Sequence, residues 1–131
     1  MLLKNNKNLI IMKRVLSIAL LCILSIGAFA QSMGIRFYDR KGREFVVYAP
    51  SGRFSYSMYE GDYISRDSYG RVISVGDTYI TYDYSGRVTC IGDVYISYDY
   101  SGRVISVGGL YITYDYDGNI IQTSGKVNNR L

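Results

Sequence analysis

A gapless 16-residue repeat constrains this chain more than any other feature. Residues 63–78 read YISRDSYGRVISVGDT, 79–94 read YITYDYSGRVTCIGDV, 95–110 read YISYDYSGRVISVGGL and 111–126 read YITYDYDGNIIQTSGK. A unit this short cannot bury an apolar face alone, so neighbouring units must stack into a shared core. Upstream, Tyr38-Asp39-Arg40-Lys41-Gly42-Arg43 and Tyr48-Ala49-Pro50-Ser51-Gly52-Arg53 carry the same hexad at irregular spacing. The pattern divides the chain into degenerate β repeats over 31–62, four β-hairpin repeats over 63–126, and a polar tail over 127–131. Asn119 replaces the repeated arginine in the last unit, as a terminal unit is free to do.

Each unit predicts a hairpin. Tyr, Ile, Thr and Val alternate with polar residues in short runs bounded by glycine turns, and nothing after Ala30 has helical periodicity. In Asp99-Tyr100-Ser101-Gly102, Asp at the first position and Gly at the fourth suit a type I turn closed by a left-handed glycine bulge. Pro50 takes the second position of the matching upstream turn, where its fixed φ fits. Gly92-Asp93 and Gly108-Gly109 suit a tight glycine-led connection. The expected fold is all-β: an antiparallel β-meander of roughly ten short strands, forming a curled sheet, a spiral or a barrel-like closure.

The turn sets the faces. With Tyr100, Ser101 and Gly102 as the loop, Asp99 faces Arg103, Tyr98 faces Val104 and Ile96 faces Ser106. One face then carries Val94, Ile96, Tyr98 and Val104; the other carries Tyr95, Ser97, Asp99, Arg103, Ile105 and Val107. Near-identical units present the same face, so the stagger per unit must be even. Three-residue loops at both turns achieve this, as do two-residue loops at both; Pro50 and the repeated Asp favour three. A one-residue slip would invert every side chain. The apolar face needs a cover, because a buried Ile or Val contributes about 1.5–3 kcal/mol only once water is excluded. Closure, folding over as a sandwich, or face-to-face dimerisation would each supply it.

The N-terminus reads as a leader. Met12-Lys13-Arg14, the apolar stretch Val15 to Phe29, and Ala28-Phe29-Ala30 before Gln31 form the basic, apolar and cleavage regions of a secretory signal peptide over residues 1–30. Met12 is the alternative start. The apolar stretch is shorter than the roughly 20 residues of a membrane-spanning helix, so the membrane enters only through the leader before its removal. The expected product is exported to the periplasm, the outer surface or the medium. Lys4, Lys7, Lys13 and Arg14 leave with the leader, so an excess of 15 basic over 11 acidic side chains becomes a balance. No clustered positive charge is left for nucleic acid. The chain has no histidine, which removes the commonest general base and metal ligand. Cys90 is then a lone thiol on a repeat strand, better read as filler than as a nucleophile.

The hexads Tyr82-Asp83-Tyr84-Ser85-Gly86-Arg87 and Tyr98-Asp99-Tyr100-Ser101-Gly102-Arg103, each followed by a valine, resemble the YD (RHS) repeats of bacterial surface and toxin proteins. The resemblance covers residues 63–126 well and 38–53 loosely. It implies exported β-hairpin repeats, and surface or carbohydrate binding has been attributed to some family members. This chain is far too short to enclose a cargo, its period is shorter, and no toxin domain follows in it, so the resemblance does not imply toxin delivery.

Repetition brings equivalent residues to every second strand, about 9.5 Å apart. Tyr63, Tyr79, Tyr95 and Tyr111 form one such ladder, flanked by Ser65, Thr81, Ser97 and Thr113. Phenol faces beside hydroxyls can stack on a sugar chain, although cross-strand tyrosines also stabilise a sheet without any ligand. Tyr82, Tyr98 and Tyr114 fall on the apolar face and read as core. Asp67, Asp83, Asp99 and Asp115 make a carboxylate row that turn initiation and the facing arginines already explain. Such rows converge poorly on calcium, and equivalent environments do not divide two acids into a catalytic pair.

The candidate binding residues are Tyr63, Tyr79, Tyr95, Tyr111, Asp83, Asp99, Arg87 and Arg103; no catalytic residue, metal or cofactor is expected. These features point to a non-enzymatic structural or adhesive module at the bacterial cell envelope, making multivalent contact with surface glycans or envelope proteins. The alternatives are a discrete carbohydrate-binding module using the tyrosine ladder, and a subunit of a larger envelope assembly joined through its sheet edges. A neutral net charge also leaves self-association unopposed.

Overall fold

The computed structural model describes residues 32–128; the predicted signal peptide and residues 129–131 of the predicted tail lie outside the described residues. Strands β1 (Met33–Tyr38), β2 (Glu44–Ala49) and β3 (Phe54–Tyr56) form one antiparallel sheet in chain order. Strands β4 (Ile64–Arg66), β5 (Val72–Val75), β6 (Thr78–Tyr82), β7 (Val88–Ile91), β8 (Val94–Tyr98), β9 (Val104–Val107), β10 (Leu110–Tyr114) and β11 (Ile120–Ser124) form a second, also in chain order. The described residues are thus an all-β antiparallel meander with no helix.

Two expectations change. The strands divide between two sheets, and the eight-stranded one does not close, because β4 and β11 remain its edges. The barrel-like option therefore drops out. The division falls between β3 and β4. There Asp62 N–H donates to the Tyr59 carbonyl (3.1 Å) and Tyr59 N–H donates to Asp62 Oδ2 (2.7 Å). This local turn sends the chain to the other sheet instead of back as another hairpin.

The hexad turns form as expected. Gly102 N–H donates to the Asp99 carbonyl at 3.0 Å, and Asp99 N–H donates to the Arg103 carbonyl at 2.9 Å. Gly102 holds φ at 81°, the left-handed conformation that glycine adopts without penalty. The upstream turn differs: the Ala49–Pro50 peptide is cis, and Gly52 N–H donates to the Tyr48 carbonyl rather than to that of Ala49.

The other connections are shorter than expected. Val75 pairs with Thr78, Ile91 with Val94 and Val107 with Leu110, leaving two-residue loops. Each is led by a positive-φ glycine, the arrangement that matches strand twist. Three-residue loops at one end and two-residue loops at the other would invert alternate hairpins. A bulge prevents it. Tyr98 pairs with Val104, but Ser97 pairs with Ser106 and Ile96 with Val107, so Ile105 is one residue too many on β9. Thr89 and Ile73 occupy the same place on β7 and β5. Val107 therefore joins Val104 in the core, both fully buried, and is not on the polar face where strict alternation placed it.

The cover for the apolar face comes from within the chain. Ile35, Phe37, Phe45, Val47 and Ala49 of the three-stranded sheet share one buried cluster with Val75, Ile91, Val104 and Val107 of the larger sheet. A backbone bond joins the two sheets as well, from Val104 N–H to the Pro50 carbonyl at 3.1 Å.

Candidate functional site

The outer face of the larger sheet carries the predicted tyrosine ladder. Tyr63, Tyr79, Tyr95 and Tyr111 are 76%, 73%, 70% and 60% exposed, while Ile80, Ile96 and Ile112 beside them in sequence are buried in the core. Cys90 pairs with both Thr81 and Tyr95, and Ser106 with both Ser97 and Tyr111. Each hairpin therefore advances by two residues, which sets successive rungs obliquely about 12 Å apart and not directly abreast. Thr81, Ser97 and Thr113 are exposed near the rungs, and the Thr81 and Thr89 hydroxyls share a hydrogen bond of 3.0 Å. Cys90 lies half-buried within this face, its thiol donating to the Gly92 carbonyl at 3.1 Å. Burial, aided by the Asp93 charge, pushes that thiol up and away from nucleophilic reactivity.

The predicted Asp and Arg residues lie elsewhere. Asp99 is four residues along the chain from Tyr95, about 13 Å of strand, so the two kinds of candidate do not converge. Instead a brace of three side chains recurs. Arg87 Nε donates to Asp83 Oδ2 and Arg103 Nε to Asp99 Oδ2, each at 2.8 Å. The same guanidiniums stack over tyrosines of the next hairpin, Arg87 at 4.6 Å from the Tyr98 ring centre and Arg103 at 4.5 Å from that of Tyr114. Those tyrosines donate back, Tyr98 to the Val88 carbonyl at 2.7 Å and Tyr114 to that of Val104. Burial works to raise the Asp83 and Asp99 carboxyls, but bonds from the backbone and guanidinium of Arg87 and Arg103 outweigh it and hold both below their usual value. Desolvation pushes the Tyr98 phenol up to about 12, so it remains a donor at any physiological pH.

Sequence reasoning missed a knot around Arg43, which is 3% exposed. Its Nε and Nη2 donate to Asp62 at 2.7 and 2.6 Å, and Nη1 donates to Asp39 at 3.1 Å and Asp77 at 3.0 Å. Thr78 adds a hydroxyl bond to Asp39 at 2.8 Å. Arg43 hydrogen bonds, followed by the Tyr59 backbone, lower the Asp62 carboxyl to about 2. The knot ties the β1–β2 turn to the β5–β6 turn. Gly76 holds φ at 59°, and a Cβ there would begin 2.3 Å from Arg43 Nη2, so a side chain would push the guanidinium away from Asp62. Asp39 and Arg43 belong to the degenerate upstream hexad, so the recurring Gly-Asp dipeptides at Gly61-Asp62 and Gly76-Asp77 were the available signal. Beside the knot lies a groove of about 530 Å³, with Tyr38 and Tyr79 at its lips and Phe37, Phe45, Ile91 and Val94 behind. The ion pairs Arg40–Asp93 (3.4 Å) and Lys41–Asp77 (3.2 Å) join residues of its lining.

No family model matches the chain, and neither a curated protein nor a solved structure is detectably similar to it.

Proposed function

We propose that this chain is an exported, non-catalytic interaction module, built of 16-residue hairpin units, that adheres at the cell envelope by multivalent contact. One observation carries the reading: Tyr63, Tyr79, Tyr95 and Tyr111 stay 60–76% exposed at regular spacing. Rigid phenols supply large contact area at low entropic cost, and several weak equivalent contacts on one scaffold multiply into useful avidity. The hydroxyls of Thr81, Ser97 and Thr113 favour a glycan as the contacted surface. The leader over residues 1–30 and the likeness to YD repeats support export and an envelope setting.

The test is co-sedimentation of the purified protein with isolated bacterial envelope fragments. The Y79A/Y95A/Y111A triple variant is expected to stay in the supernatant while its circular dichroism matches the parent. Equal sedimentation of the two proteins would reject the outer face as the contact surface.

A further inference from the structure

Tyr84, Tyr100 and Tyr116 stand at the first loop position of three successive hexad turns and are fully exposed, at 111%, 111% and 109%. A type I turn accepts most residues at that position, so the fold does not require a phenol there. Behind the tips lie the braced arginines. Their Nε atoms are taken by aspartate, whereas no hydrogen bond among the described residues uses the Nη atoms of Arg87 and Arg103. Those Nη1 atoms reach across to the next turn, 3.7 Å from where a side chain on Gly102 would begin and 3.8 Å from its equivalent on Gly118. A groove of about 520 Å³ opens between the last two hexad turns, lined by Ser101, Arg103, Tyr114, Tyr116 and Asp117 among others.

The geometry points to a second ligand surface at this rim, each gap between consecutive hexad turns receiving one segment of an uncharged polyhydroxylated chain, a neutral glycan. It rests on the reading of the chain as an adhesive module, and names the ligand class at a surface other than the Tyr63–Tyr111 ladder. The chemistry is mixed in the way sugar hydroxyls require. Arg103 supplies N–H donors, Asp117 and Ser101 supply acceptors, and Tyr116 offers a ring face to the C–H side of a sugar. Charge selects against an acidic chain. Arg87 and Arg103 are each neutralised by their own aspartate. In the last turn Asp115 is bonded to Asn119 instead of an arginine, with Asp117 beside it, so carboxylates predominate. Arg87 lies beside Gly102 as Arg103 lies beside Gly118, so linked weak contacts along the rim would add.

The experiment titrates the purified protein with neutral hexasaccharides (cellohexaose, maltohexaose, chitohexaose) and with hexagalacturonate, following tyrosine fluorescence and calorimetry. Y84A/Y100A/Y116A is compared with Y79A/Y95A/Y111A, and R103Q tests the floor. A neutral sugar is expected to bind, with the rim triple weakened about 10²-fold and more than the ladder triple, and R103Q weakened less than the rim triple. Because the tips are fully exposed, the rim triple should keep its melting temperature, which separates lost binding from lost fold. Binding lost only in the ladder triple would overturn the rim site and leave the outer-face reading standing. Preference for hexagalacturonate would overturn the charge argument. Failure of every sugar to bind would overturn the ligand class, while ladder-dependent sedimentation with envelope fragments would still stand or fall separately.

Discussion

The Arg87 guanidinium lies 4.6 Å from the centre of the Tyr98 ring, in the next hairpin along the chain. Arg87 also grips Asp83 in its own turn at 2.8 Å, and Tyr98 reaches back to the Val88 carbonyl at 2.7 Å. The pair thus couples neighbouring hairpins, and Arg103 with Tyr114 repeats the arrangement. Tyr98→Phe removes one hydroxyl bond and should cost about 1 kcal/mol. Arg87→Met should cost about 0.5–1 kcal/mol. Urea unfolding of Arg87→Met, Tyr98→Leu and the double variant should give a double-variant loss smaller than the sum of the two singles, because only loss of the ring removes the contact with Arg87; strict additivity would show that the two side chains act independently.

Ionisation of Tyr98 should destabilise the fold in alkali. Its phenol is raised from 10.0 to about 12 by burial, so its protonated form is favoured in the folded state. That contribution is complete below the unfolded value and is lost as pH rises through the folded one. Stability should therefore fall between about pH 10 and 12, with a shallower fall in Tyr98→Phe. Melting temperature against pH checks it.

At the acid end the sign reverses. Asp62 is lowered from 3.8 to about 2, chiefly by Arg43, so its contribution is present above the unfolded value. It is lost as pH falls toward the folded value. Stability should decline between about pH 4 and 2, and Asp62→Asn should flatten that decline while lowering stability at neutral pH. Arg43→Met should be worse than Asp62→Asn, because it leaves Asp39, Asp62 and Asp77 clustered without their shared cation. Thermal melts across this range, in low and in high salt, would decide it.

The bulges make a sharper test. Thr89 is the extra residue on β7, between Val88 paired to Tyr82 and Cys90 paired to Thr81. Deleting it would slip the rest of the strand by one residue and turn Ile91, 1% exposed, toward solvent. The deletion should abolish cooperative unfolding, whereas Thr89→Ser should change stability by less than about 0.5 kcal/mol. A deletion variant as stable as the parent would mean the bulge does not set the register.

These bulges also mark where the sequence stopped being readable. Asp99 and Gly102 state their turn locally, through the residue types that a type I turn and a left-handed glycine demand. So Tyr98 facing Val104, and Asp99 facing Arg103, could be deduced. The parity of a whole hairpin depends on both turns and both strands together, and a bulge at Ile105 has no residue signature of its own. Arg43 was hidden for a related reason. Its partners Asp62 and Asp77 lie 19 and 34 residues away, and only tertiary packing brings them together. The tyrosines at the turn tips were legible as turn residues, but their full exposure became meaningful only with the braced arginines behind them.

The three-stranded sheet covers the apolar face of the large one. Phe45 on β2 is fully enclosed, its ring stacked against Phe37 at 5.8 Å, and both lie in the cluster shared with Val75, Val104 and Val107. Phe45→Ala should cost about 3–5 kcal/mol, a large fraction of the about 5–15 kcal/mol that holds a domain folded. Because the core spans both sheets, the loss should appear as one cooperative transition moved to lower urea, with β1–β3 and β4–β11 melting together. It should also expose apolar surface on the large sheet, so the variant should bind a hydrophobic dye and gain mass on concentration where the parent does not. A parent that is itself dimeric in sedimentation, with Phe45→Ala costing under about 1 kcal/mol, would mean that a second copy and not β1–β3 supplies the cover.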